Sequence, residues 1–344
     1  MAYARIMGGA GVLDIEKVEL HLPSDVALFE AATSNRFLQI ARDKARMTMP
    51  PISVQNFHTD LSPTLNHMAM ETLLVALYLR IAAIRRRTST GYQQPYLAWS
   101  SISDEEFTAD HKTDGVVASL LSLPPRSADL FQQRHRVTAF AWNNVCIAVT
   151  ADLNLLEIAS GRDGIDAART AMTAVCNWSR TARARRATLH ATQIFDILSS
   201  SRLSEWNIAR PDLLLYQSGL VLSMYLFVCD YQDVDQDGPA FELLQSIDWV
   251  AMGPEGLPNS TQPLSPSPSL SGQSSSDAAE SARNFIRHGG PVSFSGDVLG
   301  GGSMTARKVL LNYVHLLDEI GKYRGSSYSQ ILKTMSDFVI EGNH

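Results

Sequence analysis

Between Leu213 and Cys229 the chain reads LLLYQSGLVLSMYLFVC, and this near-continuous apolar run constrains the fold more than any other feature. It carries no charge, but Gln217, Ser218, Gly219 and Ser223 interrupt it. It also falls short of the about 20 apolar residues that span a bilayer. Pro211 just ahead suits the first turn of a helix, where its missing N–H has no carbonyl to meet. A helix apolar on most sides has to be surrounded by other helices. The run therefore predicts the central member of a helical body, with no membrane partner.

Helical spacing recurs along most of the chain. Ser24 and Asp25 are placed to cap a helix carrying Val26, Leu28, Phe29, Phe37 and Leu38. Ser62-Pro63 is a second start signal, and Leu73, Leu77, Ile81 and Ile84 then fall on one stripe that ends in Arg85, Arg86 and Arg87. Ser127 to Ser160 predicts one long helix or two, stopped by Gly161. Ile165, Ala168, Met172 and Val175 repeat at helical spacing. So do Ala187, Ala191, Ile194, Phe195 and Leu198, after a basic run from Arg183 to Arg186. Gly238-Pro239 predicts a short helix with Phe241, Leu244 and Ile247. Near the end, Val309, Leu310, Tyr313, Leu316, Leu317 and Ile320 predict a helix stopped by Gly321, and Tyr328, Ile331, Leu332, Met335, Phe338 and Val339 predict another.

No alternating runs flank an Asn-Gly or Asp-Gly turn, and no repeat of fixed period is present. The expected fold is an all-α, multi-helix domain interrupted by one disordered Ser/Pro-rich loop. Residues 1–19 read as an N-terminal segment, part of a truncated helix, and 20–253 as the helical domain. Residues 254–283, rich in Ser, Pro, Gly and Gln, read as a disordered insert with too little apolar surface to offset the entropy of ordering. Residues 284–344 read as C-terminal helices packing on the same domain.

The chain has 35 acidic and 29 basic residues, a net charge of -6. A DNA-binding face needs a basic excess to neutralise phosphates, so direct DNA contact by this chain is not expected. Cys146, Cys176 and Cys229 lie far apart in apolar runs, without zinc-ligand spacing, which fits a reducing compartment. The N-terminus lacks the basic and apolar regions of a signal peptide.

Chemistry-bearing motifs are few. Asp233, Asp235, Asp237 and Gly238 match the opening of a calcium loop, but the closing bidentate glutamate falls on Leu244. The same aspartates raise a rival reading, an α-helical enzyme with an Asp-rich metal site like that of terpene synthases. They precede a Gly-Pro and have no second metal motif, so a solvated acidic turn is the simpler reading. His67, His135, His190, His288 and His315 are scattered, and His190 reads as a satisfied, half-buried histidine. No HExxH, GxSxG or Walker loop occurs. The clusters Arg85–Arg87 and Arg183, Arg185, Arg186 could serve nuclear import or phosphate contact, but helix-end charge and solvated surface explain such runs more simply. Ser265-Pro266 and Ser267-Pro268 are accessible targets for proline-directed phosphorylation. No catalytic, cofactor-binding or metal-ligating residue is assigned, and the chain is not expected to be an enzyme.

Three segments, in order, resemble the regulatory domain of fungal zinc-finger transcription factors, the middle homology region that follows the fingers. Leu20 to Ala32, LHLPSDVALFEAA, is similar to that domain's apolar-Pro stretch followed by Leu-Trp-Glu-Ala, with Phe29 in the place of the tryptophan. Arg185 to Phe195, RRATLHATQIF, resembles its Arg-Arg-Ala-x-Leu-His-Ala-x-Gln-x-Phe segment, and the helix from Pro211 follows at the expected place. Ser327 to Leu332 is similar to its closing helix, although Tyr323 and Arg324 stand where a tryptophan is usual. The resemblance covers about Leu20 to Val339. It implies a nuclear module that modulates transcription through the transcription machinery or co-regulator proteins, with a homodimer mate or a small-molecule effector as further partners. Zinc is expected only in a finger module, and three dispersed cysteines cannot build one, so DNA would be reached only through fingers absent from this chain. The third reading is a helical scaffold unrelated to transcription.

Overall fold

The computed structural model of the chain describes residues 19–21, 26–43, 51–53, 67–90, 111–131, 136–200, 210–229, 240–257, 273–324 and 328–341. Within them the fold is all-α with two small sheets. The N-terminal part comprises β1 (Glu19–His21), α1 (Val26–Phe29), α2 (Ser34–Asp43) and β2 (Pro51–Ser53), with β1 and β2 antiparallel. The main helices are α3 (His67–Thr90), α4 (His111–Arg126), α5 (Ala128–Phe131), α6 (Arg136–Thr150), α7 (Leu153–Ala159), α8 (Ile165–Ser179), α9 (Ala182–Ser199) and α10 (Pro211–Val228). After them come β3 (Phe241–Glu242), α11 (Trp249–Met252), α12 (Gln273–His288), β4 (Val292–Phe294), β5 (Asp297–Leu299), α13 (Gly302–Arg324) and α14 (Tyr328–Glu341).

Two apolar clusters form the core. The larger gathers α7 to α10 and α12 to α14 around α10. The smaller is built by α3, α4 and one face of α6. Helix α6 serves both: Phe140 and Ile147 face the larger cluster, whereas Trp142, Val145, Cys146 and Val149 face the smaller. Among the described residues two helices are long and apolar enough to cross a membrane, α10 and the His67–Arg85 part of α3. The α10 stretch is 83% buried against 39% for α3, which makes α10 the interior helix that its composition predicts. Its closest neighbour is α13, where Gly219 lets the Tyr313 ring approach the α10 backbone.

The expected stripes of α3 (Leu73, Leu77, Ile81, Ile84) and α13 (Val309 to Ile320) are buried. Several expectations need correction. The first helix is split, because Thr33 accepts a bond from the Arg36 N–H and starts a new helix; Phe37 and Leu38 on it are largely exposed. The stretch from Ser127 to Ser160 forms three helices. Its last break falls at Asp152, whose Oδ1 caps α7 by accepting from the N–H groups of Asn154 and Leu155, at 3.0 and 3.2 Å. Helix α3 runs past its arginines to Thr90, and α13 past Gly321 to Arg324.

Phe241 lies in β3 rather than in a short helix, paired parallel to β4, and Leu244 and Ile247 lie outside any helix. Strand β4 returns as β5 through Ser295-Gly296, both with positive φ (55° and 82°), as a two-residue type I′ hairpin requires. The Glu242 carboxylate fixes this turn by accepting from Ser293 Oγ and from the N–H groups of Ser295 and Gly296. The stretch 254–283 is not disordered throughout. Residues 254–257 form a turn that buries Leu257, and α12 begins at Gln273 and buries Ala279 and Ala282. Both ends of that stretch carry buried apolar residues and belong to the fold. The remainder, with the Ser-Pro pairs, lies outside the described residues, as do Ser24, Asp25, Ser62-Pro63, the Asp233–Gly238 run and His135.

Candidate functional site

The Arg183–Arg186 run sits in the first turns of α9, where a cation opposes the helix dipole. Something else must therefore hold it there. Arg186 is fully buried, which corrects the reading of this run as solvated surface. Its Nη1 donates to the carbonyls of Gly253 and Glu255, at 2.8 and 2.5 Å, and its Nε donates to His190 Nε2 at 3.2 Å. Nη2 has no hydrogen-bond partner among the described residues. The guanidinium also lies over the Trp249 ring, 5.2 Å from its centroid. Burial pushes Arg186 down to about 10, so it stays a cation at neutral pH.

His190, one helical turn on, is fully buried rather than half-buried. Its Nδ1 shares a hydrogen bond with Asn143 Oδ1 at 2.7 Å. Nε2 accepts from Arg186, so Nδ1 carries the proton and the ring is neutral. Burial and the neighbouring guanidinium, in that order, hold its pKa well below the usual histidine value. The ring stacks on Trp249, with centroids 3.8 Å apart, and meets Trp142 edge-on at 5.3 Å. The Trp142 indole N–H donates to the Leu120 carbonyl of α4. Cys146, one turn from Trp142, is buried, and desolvation pushes its thiol pKa up, keeping it protonated.

Arg185 is committed as well. It donates to the carbonyls of Ile286 and Arg287 at the end of α12 and to that of Arg180. Further along α9, Gln193 Nε2 donates to the Gln245 carbonyl, the Ala191 carbonyl accepts from the Tyr313 hydroxyl, and the Phe195 ring packs against Phe294 and Tyr313. Every named residue of the Arg-Arg-Ala-x-Leu-His-Ala-x-Gln-x-Phe pattern is thus bonded or packed inside the molecule, with Ala187 and Leu189 fully buried. The arrangement fixes backbone segments to one another. Its acid–base groups are buried, and none is poised to exchange protons with a solvent-borne molecule.

The other residues singled out in the sequence do not converge on this place. Arg85 donates to the carbonyls of Ala148 and Val149 at the end of α6, so it offsets a neighbouring helix's dipole and not its own. His67 and His288 are exposed, and His315 lies 3.5 Å from Glu319 on the surface of α13. Cys176 and Cys229 are half-buried and remote in sequence from Cys146. Among the described residues no group of three or more His, Cys, Asp or Glu could hold a metal ion. Asn143, Trp142 and Trp249 were missing from the sequence reading. The Arg186/His190 spacing of four was the one signal that pointed to a shared face. No family model, curated protein or solved structure matches the chain.

Proposed function

We propose that the chain is a regulatory and interaction domain of the fungal zinc-finger transcription-factor type, acting in the nucleus through contacts with co-regulator proteins. The observation that carries this reading is the use of the Arg185–Phe195 pattern. Its arginines, histidine, glutamine and phenylalanine all serve internal bonds that join α9 to α6, α11, α12 and the β4 strand. A pattern spent on framework bonds is what a shared fold needs, whereas a shared reaction would leave some of it facing a cleft. The net charge of -6 agrees with a part that leaves DNA reading to another module.

The test is tethering. The chain is fused to an unrelated DNA-binding domain and its effect on a reporter gene is measured beside the location of the tagged chain. A change in reporter output, with the tagged chain in the nucleus, is expected. An unchanged reporter together with exclusion from the nucleus sinks the proposal.

A further inference from the structure

Residues 248–257 cross between the two apolar clusters. Met252 is buried in the larger cluster and Leu257, five residues on, in the smaller, while Trp249 packs against both. The segment has little regular structure of its own: α11 is a single turn, capped by Asp248. Its fixings come from outside. Arg186 binds the carbonyls of Gly253 and Glu255, Arg283 binds that of Ala251, and Arg287 pairs with the Glu255 carboxylate at 2.7 Å. Gly256, at φ +74°, lies so close to α9 and α12 that a Cβ would come within 2.8 Å of both the Ala182 carbonyl and Ile286 Cγ2.

The helices α3, α4 and α5 form a lobe whose main contacts outside itself run to α6 and, through α4, to α11. The Asn143, His190 and Arg186 bonds tie α6 and α9 to residues 248–257, while the lobe itself is bonded to α6 through Trp142 Nε1 to the Leu120 carbonyl and Arg85 to the Ala148 and Val149 carbonyls. Bonds there are directional and lost together, whereas apolar packing gives way gradually. We propose that residues 248–257 are a strap that latches the α3–α5 lobe to the main body, and that losing the Arg186 anchor opens this lobe as a unit while the larger cluster stays folded. The face of α6 uncovered by opening carries Trp142, Val145, Cys146 and Val149. The device stands on geometry and holds whether or not the chain acts in transcription.

Hydrogen exchange on the full chain tests it, read helix by helix. In the native sequence α3 and α4 should exchange together and faster than α10 and α13; equal protection across all four overturns the strap. Arg186→Lys keeps the charge but cannot span His190 and two carbonyls. It should lower protection of α3 and α4 by about tenfold or more and leave α10 and α13 within about twofold. Leu257→Ala, a simple apolar truncation, carries the same expectation should the lysine variant fail to fold. Alkylation of Cys146, mapped by mass, should speed up in both. Leu316→Ala, in the larger cluster away from the strap, should not show this selectivity. Loss of protection in all helices alike in the strap variants, or none in α3 and α4, refutes the proposal.

Discussion

A buried histidine beside a buried arginine is tolerable only while it stays neutral, and that ties the stability of this molecule to pH through one side chain. His190 accepts from Arg186 on one nitrogen and pairs with Asn143 on the other. Protonation would set two cations 3.2 Å apart in the core. Because burial depresses its folded pKa below the ordinary 6.5, the unfolded chain takes the proton first. The histidine's contribution is therefore whole above pH 6.5 and declines as pH falls, by up to about 1.4 kcal/mol per pH unit. Urea unfolding of the native chain should show falling stability between about pH 6.5 and pH 5. In His190→Gln, which keeps a neutral amide in place, that dependence should be shallower. Equal slopes would mean that the ring is already solvated in the native state. Composition and periodicity could place His190 on an apolar helix face, but the three partners that fix its charge come from positions 143, 186 and 249, and no local pattern links them.

At the scale of elements, periodicity was a good guide where one face meets one core. The α3 stripe, the interior α10 and the α13 stripe were legible because apolar side chains at helical spacing have few other ways to leave water. It failed where a side chain or a long-range pairing decides. Asp152 ends one helix and caps the next inside a run that is apolar throughout. Strands β3, β4 and β5 have two or three residues each, too few for alternation to register, and the hairpin rests on a Ser-Gly turn outside the Asn-Gly and Asp-Gly pairs sought. The basic run before Ala187 looked solvated because nothing local reveals that carbonyls from residues 253, 255, 286 and 287 converge on it. The α10–α13 contact yields a direct prediction. A Cβ on Gly219 would lie 2.9 Å from Tyr313 Cδ1 and 3.3 Å from Leu332 Cδ1. The Tyr313 ring is fully buried, its hydroxyl bonded to the Ala191 carbonyl, so it has little room to yield. Gly219→Ala should lose about 1–3 kcal/mol to overpacking, despite alanine's better helix propensity, as read by thermal or urea melting.

For the whole molecule, the decisive fact is that two clusters share one helix and one strap, so its parts are unlikely partners in sequence but close in space: α6 meets α3 on one side and α9 on the other. The all-α architecture was legible from the apolar pattern, while the division into two clusters was not, since both draw on the same unbroken run in α6. The enclosure of α10 has a consequence during synthesis. Its cover includes α13 and α14, which leave the ribosome long after it does. A nascent chain therefore carries an uncovered helix of near-membrane hydropathy until those last helices arrive, the kind of interval in which aggregation and chaperone capture compete with folding. A chain stopped before Gly302 should accumulate as insoluble or chaperone-bound protein, and one stopped before α11 would fare no better; fractionation of the two truncations beside the full chain gives the answer, with a soluble, monomeric product from either pointing to a core that closes without its C-terminal helices.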